Sequence, residues 1–509
     1  MVLGTLLPIM SADLSFPAWL RITHFINILF IGLLIRSGIQ ILVAHPRLYW
    51  NDSCNPETAW LRLTRKKVPK DELYTSMDDE IPVTPWLAQP GKENLGLGRH
   101  WHFFSVLFWL LNGIVYVVLL FATSEWTRLV PTSWNIVPRA LHTIMTYLTF
   151  HIPPRSDFRP YDPLQQLSYA FVVFLLAPFM LLTGATMSPA IEARFPWYLK
   201  LFGGRQAGRS LHFLSMLLFV AFIIVHTTLV LIVHFPANIR NIVFGSEQTS
   251  LWLAILIAVL ALLAVFVFYA WSSWYSLRHK RLMQHALGFF VDPVRKFLLH
   301  YVHSEQHYKP SEITSFFWIN GRPPVEEEFE QLRLNDFRAW RLHVGGEVSQ
   351  TRSFSLDELR HMPKQTQITK HNCIQGWSGV AEWGGVPLSH VLDLCQPNAD
   401  AKYVVFTSYQ RGQQSYPKGS AESQQRPFYE VIDMVLARHP QTILAYEMNG
   451  QALPLEHGAP LRLRCETQLG YKMVKYLRSI EIVSDYSTIG DGQGGFREDV
   501  QYYGRGAEI

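Results

Sequence analysis

The sequence predicts a membrane all-α bundle of five transmembrane helices followed by an α+β domain, and three observations carry that reading. The first half is built from apolar runs long enough to cross a bilayer, whereas beyond about residue 275 the chain changes to short β-like runs with turn signals. The composition is unlike that of a soluble enzyme, with 49% hydrophobic and 14% aromatic residues against 17% charged. The net charge of +5 is small for 509 residues and its cations gather beside the apolar runs, which points to a bilayer and away from nucleic acid. Four cysteines with no CxxC spacing argue against a disulfide framework.

Taken in order, the spans are expected at about 24–43, 103–122, 164–187, 211–234 and 251–271. Pro178 should kink the third. The stretch 136–151 is too short and polar to span and fits a surface-lying or re-entrant helix. The N-terminus has no charged segment leading to a small-residue cleavage site and no twin arginine, so it is expected to remain uncleaved.

The fourth span carries His212 and His226, fourteen residues apart. On a helix that is about 21 Å of rise and within about 40° of one face. Ionisable groups inside a membrane are costly, and neutral imidazole is a good axial ligand for haem iron. An Arg-x-x-His-Phe repeat opens three spans, at Arg21–Phe25, Arg99–Phe103 and Arg209–Phe213. It selects His24 and His102 as the remaining ligands, with the arginines available to haem propionates. Helix direction then sets the pairs as His102 with His212 and His24 with His226. Arg36, inside the first span, either snorkels or meets a propionate. His45, His100, His142, His151 and His234 read as wet interfacial side chains, with His142 also placed where a quinone site could use it.

Five spans put the two termini on opposite faces. The loops on the C-terminal side carry most of the flanking Lys and Arg, so the positive-inside rule makes that side cytoplasmic. A basic, aromatic connector occupies 276–310. After it, Ala339–Val344, Ala401–Thr407 and Leu461–Cys465 read as strands, and Ser355-x-x-Glu358 as a capping box opening a helix. The Gln/Ser-rich segment 411–426 reads as a mobile loop, and the tail 491–509 has no placing pattern. Cys373 lies in His-Asn-Cys-Ile-Gln-Gly-Trp, flanked by polar residues. By pattern alone it is an inert buried thiol, a nucleophile or a metal ligand.

Residues 1–275, through His24, His102, His212 and His226, resemble the di-haem cytochrome b subunits of quinone-linked formate dehydrogenases, nickel–iron hydrogenases and thiosulfate reductases. Residues 311–490 resemble the sulfite-oxidase-like molybdopterin domain, particularly its bacterial sulfoxide-reductase branch. That match runs through Cys373–Trp377, Trp383–Leu388, Ala401–Val404, Leu444–Gly450 and Gly458–Arg462. The resemblance implies that Cys373 ligates molybdenum and that Asn320, Ser408, His457, Arg462, Met473, Val474 and Lys475 contact the pterin, with Arg462 on its phosphate. Ser408 stands where the branch has Thr and His457 where it has Asn. The arginines of a sulfite site are missing beside Cys373. The expectation is therefore a multi-pass bacterial inner-membrane oxidoreductase with two haems b and a molybdenum–molybdopterin cofactor. It would exchange electrons between the quinone pool and a small oxide or oxyanion substrate, in the reductase direction. The alternatives are a quinone-linked sulfite-type dehydrogenase and a non-catalytic electron-transfer subunit.

Overall fold

The computed structural model describes residues 16–69, 71–154, 158, 161–299, 305–417 and 419–504. The reading of an uncleaved N-terminus rests on residues before 16 and lies outside the described residues, as do part of the connector and the last five positions of the tail.

Among the described residues five helices are long and apolar enough to cross a membrane. In chain order, α1 is Ala18–Leu42, α2 Leu95–Ala122, α4 Pro163–Thr186, α5 Arg205–Ile232 and α6 Leu251–Arg278. A shorter α3, Ile136–Leu148, lies in the stretch expected to be too polar to span. Its exposed residues Val137, Leu141, Met145 and Leu148 form one apolar stripe, while Ala140 and Thr143 face inward. That pattern suits a helix lying on a bilayer surface. Asp162 opens α4 by accepting from the N–H groups of Leu164 and Gln165, with Pro163 at the first helical position. A π-helical turn at Val172–Leu176 lies just before Pro178. The helical run continues past Pro178 to Thr186, with Ala177 N–H bonding the Val172 carbonyl across the wider turn. The connector contains α7, Lys280–Leu299.

The chain divides into two compact units, and the division runs through each of the five long helices. The first comprises Met1–Ile35, Ser105–Leu182 and Phe213–Ser272. Within it Gly32 of α1 leaves room for Tyr269 of α6, whose hydroxyl donates to the Ile28 and Leu29 carbonyls at 2.9 Å each. Helices lacking a hydrophobic force between them in lipid associate through close contacts and hydrogen bonds of this kind.

The second unit comprises Arg36–Phe104, Thr183–His212 and Ser273–Ile509. Among its described residues two five-stranded sheets use ten strands: β1 Arg341–Gly346, β2 Arg352–Ser355, β3 Gln365–Asn372, β4 Ser378–Pro387, β5 Tyr403–Arg411, β6 Pro427–Asp433, β7 Thr442–Met448, β8 Gln451–Ala452, β9 Arg462–Cys465 and β10 Leu477–Val483. One sheet runs β8–β7–β4–β3 with β9 also on β7, and the other β2–β1–β10–β5–β6. Only the β1–β10 pairing is parallel. Alternation along β1, where Leu342 and Val344 are buried between exposed Arg341 and His343, shows why these runs form half-covered strands. The capping box at Ser355 and Glu358 forms as expected.

Two stretches without a placing pattern are ordered here. Residues 411–426, expected to be mobile, form short helices at Gly412–Ser415 and Ala421–Gln425, closed by Gly412 N–H on the Arg426 carbonyl at 2.9 Å. The tail folds a helix at Phe496–Val500, whose Phe496 enters the main core. A second core gathers Tyr49, Cys54, Leu95, Trp318, Cys373 and Trp377, so the loop between α1 and α2 helps enclose Cys373.

Candidate functional site

In the first unit the imidazoles of His24 on α1 and His226 on α5 face one another, ring centroids 6.2 Å apart. Phe222, one turn earlier on α5, stacks on His226 at 5.4 Å, and the Tyr169 hydroxyl meets its Nδ1 at 3.2 Å. Both histidines line a cavity of about 1870 Å³ walled by apolar residues such as Trp109, Val117 and Phe219.

In the second unit His102 on α2 and His212 on α5 stand 6.5 Å apart. The Ser37 hydroxyl meets His102 Nδ1 at 3.0 Å and the Thr183 hydroxyl meets His212 Nδ1 at 3.3 Å. With Nδ1 engaged on three of the four rings, Nε2 is the nitrogen left for a metal. A metal sits about 2 Å from a bound imidazole nitrogen and roughly 1.2 Å further from the ring centre, so two axial imidazoles place their centroids about 6.3 Å apart. Both pairs fit that spacing. The arginines expected near haem propionates also bond within the protein. Arg36 donates to the Pro85 carbonyl at 2.6 Å and the Ser273 hydroxyl at 2.7 Å. Arg209 donates to the Arg47 and His45 carbonyls, and Arg21 to those of Phe16 and Val243. His45, expected to be wet, is fully buried between Tyr49 and Trp318.

Cys373 sits in the turn joining β3 to β4, whose last register pair is Asn372 with Ser378. Its N–H bonds the Trp377 carbonyl at 3.0 Å, and Gly376 holds φ +113°, which a side chain would strain. Burial pushes the Cys373 thiol up to about 12, against the pull of the Gln375 backbone and the Arg497 and Arg205 charges. A bare thiol here is no nucleophile near neutral pH, whereas a coordinating metal would take it as thiolate. Among the described residues no three His, Cys, Asp or Glu side chains converge as a ligand set. The site at Cys373 would suit a metal that brings further ligands with it.

Most of the expected pterin contacts meet around one small cavity. Its volume is about 40 Å³, and it is lined by Asn320, His457, Arg462, Met473 and Lys475, together with His371, Trp318, Ser415 and Arg497. Asn320 Nδ2 lies 3.9 Å from Cys373 Sγ. The lining holds three cationic side chains and, among the described residues, no Asp or Glu. Burial and the neighbouring Arg464 pull Arg462 down to about 9, and burial with Arg462 takes Lys475 well below the usual lysine range. Arg462 Nε and Ser415 Oγ are buried with no hydrogen-bond partner. Buried cations with no carboxylate in the cavity lining, beside orphaned polar atoms, fit an anionic, hydrogen-bonding occupant such as a pterin phosphate.

Two of the expected pterin contacts stand back from the cavity. The Ser408 hydroxyl donates to the Lys475 carbonyl at 2.6 Å, and Val474 is core, its carbonyl accepting from Leu463 at 2.8 Å. They position the segment that presents Met473 and Lys475. Arg497 was invisible to sequence reasoning, because it arrives from the tail. His371 was noted only as a neighbour of Cys373. Its ring stacks on Trp377 at 5.2 Å and accepts at Nδ1 from Arg464 at 3.0 Å.

Known families match both parts of the chain. Residues 15–245 match the prokaryotic cytochrome b561 model and residues 330–489 the oxidoreductase molybdopterin binding domain. The chain is thus a membrane cytochrome b fused to a molybdopterin-binding oxidoreductase domain, with haem b and a molybdenum cofactor as the groups these domains carry. YedZ1 of Azospira oryzae, provisionally described as a protein-methionine-sulfoxide reductase subunit, is 36% identical over 38% of this chain and 64% of its own length. MsrP of Xanthomonas axonopodis pv. citri, described as the catalytic subunit of protein-methionine-sulfoxide reductase, is 39% identical over 28% of this chain and 45% of its own. The chain therefore spans less than two thirds of the length of either relative. Among solved structures, sulfane dehydrogenase SoxCD from Paracoccus pantotrophus aligns with 29% of this chain and 39% of its own at 23% identity and a TM-score of 0.25.

Proposed function

We propose that this protein exchanges electrons between the quinone pool and a small oxide through two b-type haems and molybdenum, acting as a reductase. The observation that carries the reading is the sorting of four intramembrane histidines into two pairs at axial-ligand separation. His24 with His226 would hold one haem and His102 with His212 the other, each giving single-electron capacity. Cys373 and a pterin held by Asn320, His457, Arg462, Met473 and Lys475 would hold molybdenum, which supplies two-electron oxygen-atom exchange. The relatives' descriptions as methionine-sulfoxide reductases support a sulfoxide-type oxide as substrate.

The chain's own residues do the positioning. Ser37, Thr183 and Tyr169 fix the imidazole orientations. Arg462 and Lys475 offset cofactor charge, and the closed core around Cys373 keeps bulk water from the thiolate. The favoured location is the bacterial inner membrane with the C-terminal half cytoplasmic. The test is metal and haem analysis of the purified full chain, followed by single substitutions. His212→Ala and His226→Ala should each lose one b-type haem, and Cys373→Ser should abolish oxide reduction while both haems remain. Protein with no Soret band, or an active Cys373→Ser, sinks the proposal.

A further inference from the structure

Helix α5, which carries His212, opens with two residues bonded to the neighbours of Cys373. Arg205 Nη1 donates to Asn372 Oδ1 at 2.7 Å, immediately before the cysteine. Gln206 Nε2 donates to the Gly376 carbonyl at 2.9 Å, three residues after it. A third tie runs through Asp52, which accepts from the Gln206 backbone N–H at 2.8 Å and from Lys370 Nζ, on β3, at 2.6 Å. One turn further along α5, Arg209 Nε lies 3.5 Å from where a Cβ on Gly376 would stand. Arg205, Gln206, Asn372 and Lys370 are all buried. Buried polar groups are costly unless they find partners, and here the Arg205 guanidinium and the Gln206 amide nitrogen find theirs in the Cys373 turn. Arg205 and His212 are seven residues apart, two turns and about 10.5 Å along the same face of the helix. The Arg205 charge also reaches the Cys373 sulfur.

We infer that Arg205 and Gln206 are positioning residues that lock the Cys373 turn to the His212 helix and form the path for electrons between these two sites. The inference rests on the proposed function, in which both sites bind metal. Each passage carries one electron, oxidising one centre as it reduces the other, so a two-electron change in substrate takes two passages. No bond to Arg205 or Gln206 forms or breaks.

The test is flash photoreduction of the full-length, metal-loaded protein with a deazaflavin donor, reading haem absorbance as it relaxes and requiring no substrate. Arg205→Met and Gln206→Ala should retain molybdenum and both haems but relax about ten-fold more slowly, the size of effect typical of lost supporting contacts at metal sites. Arg205→Lys, which keeps the charge without the planar fork, should fall between. Gln206→Ala keeps the backbone tie to Asp52 and carries the test should Arg205→Met lose molybdenum. Fully loaded variants that relax at the wild-type rate overturn the path alone. Wild-type protein with both metals but no relaxation phase also overturns it, whereas wild-type protein lacking either metal overturns the proposed function and the path with it.

Discussion

His457 illustrates how a single residue in this protein is set by its neighbours. Burial, then the charges of Lys475 and Arg462, hold its pKa down to about 3, so it is neutral in the folded chain. Unfolded, it titrates near 6.5. Below that pH the unfolded chain takes up a proton that the folded one refuses, so stability is complete above about 6.5 and declines as the pH falls toward 3. His371, pushed well below its ordinary value by burial and Arg464, adds a slope of the same sign. Thermal unfolding of cofactor-free protein should weaken through this window by up to about 1.4 kcal/mol per pH unit for each histidine. His457→Gln should show the shallower slope, and an unchanged slope would put the proton elsewhere. Arg462 offers a second test at this scale. Replacing it with Met removes the cation beneath the orphaned Nε site, so pterin and molybdenum content should drop while the Soret band stays intact.

At the scale of elements, α5 ties sequence to function most directly, because helical geometry turns spacing into direction. One alanine inserted after Phe219 rotates everything beyond it by about 100°. His226 would then leave its face while His212 keeps its place, and optical spectra should show one b-type haem lost and one retained. Loss of both would mean that α5 does not carry two independent ligands. The β3–β4 turn allows a different test. Gly376 has φ +113° with Arg209 close by, so Gly376→Ala should cost about 1–3 kcal/mol and lower molybdenum loading ahead of haem loading. Elements of this kind were legible in the sequence because a helical face and a tight turn are local properties. Periodicity and a short repeat single out His24, His102, His212 and His226, whereas the residues beside Cys373 leave its role open and only the family resemblance makes it a metal ligand. What escaped was set by residues far apart in the chain. Lys370 is buried between Asp52 and Glu192 at 2.6 and 2.7 Å, an arrangement spanning 318 and 178 positions that no window of sequence displays. Arg497 lines the small cavity beside Cys373 unannounced for the same reason, just as the loop after α1 encloses Cys373.

At the scale of the whole molecule, the spans and their flanking charges together predict which face of the membrane receives the catalytic half. Were all five apolar helices to cross, the chain's ends would fall on opposite sides, with the loops between α1 and α2 and between α4 and α5 on the C-terminal side. Part of their positive charge has structural work in the folded chain. Arg47 is locked to Asp79 at 2.7 Å with both side chains buried, and Arg205 and Arg209 bond Asn372 and backbone carbonyls. The rule operates on the chain during insertion, however, before such contacts exist, so these arginines still count. Arg62, Arg65 and Lys67, exposed in the same loop, keep the bias without them. A phosphatase fused after residue 509 should therefore be inactive, and a fluorescent protein at the same position should mature. Replacing Arg62, Arg65, Lys66 and Lys67 together with Gln should raise phosphatase activity by weakening the bias. Strong phosphatase activity from the unaltered chain would place the molybdopterin half outside the cytoplasm, and the loop charge would then have to be read as serving the fold around Cys373.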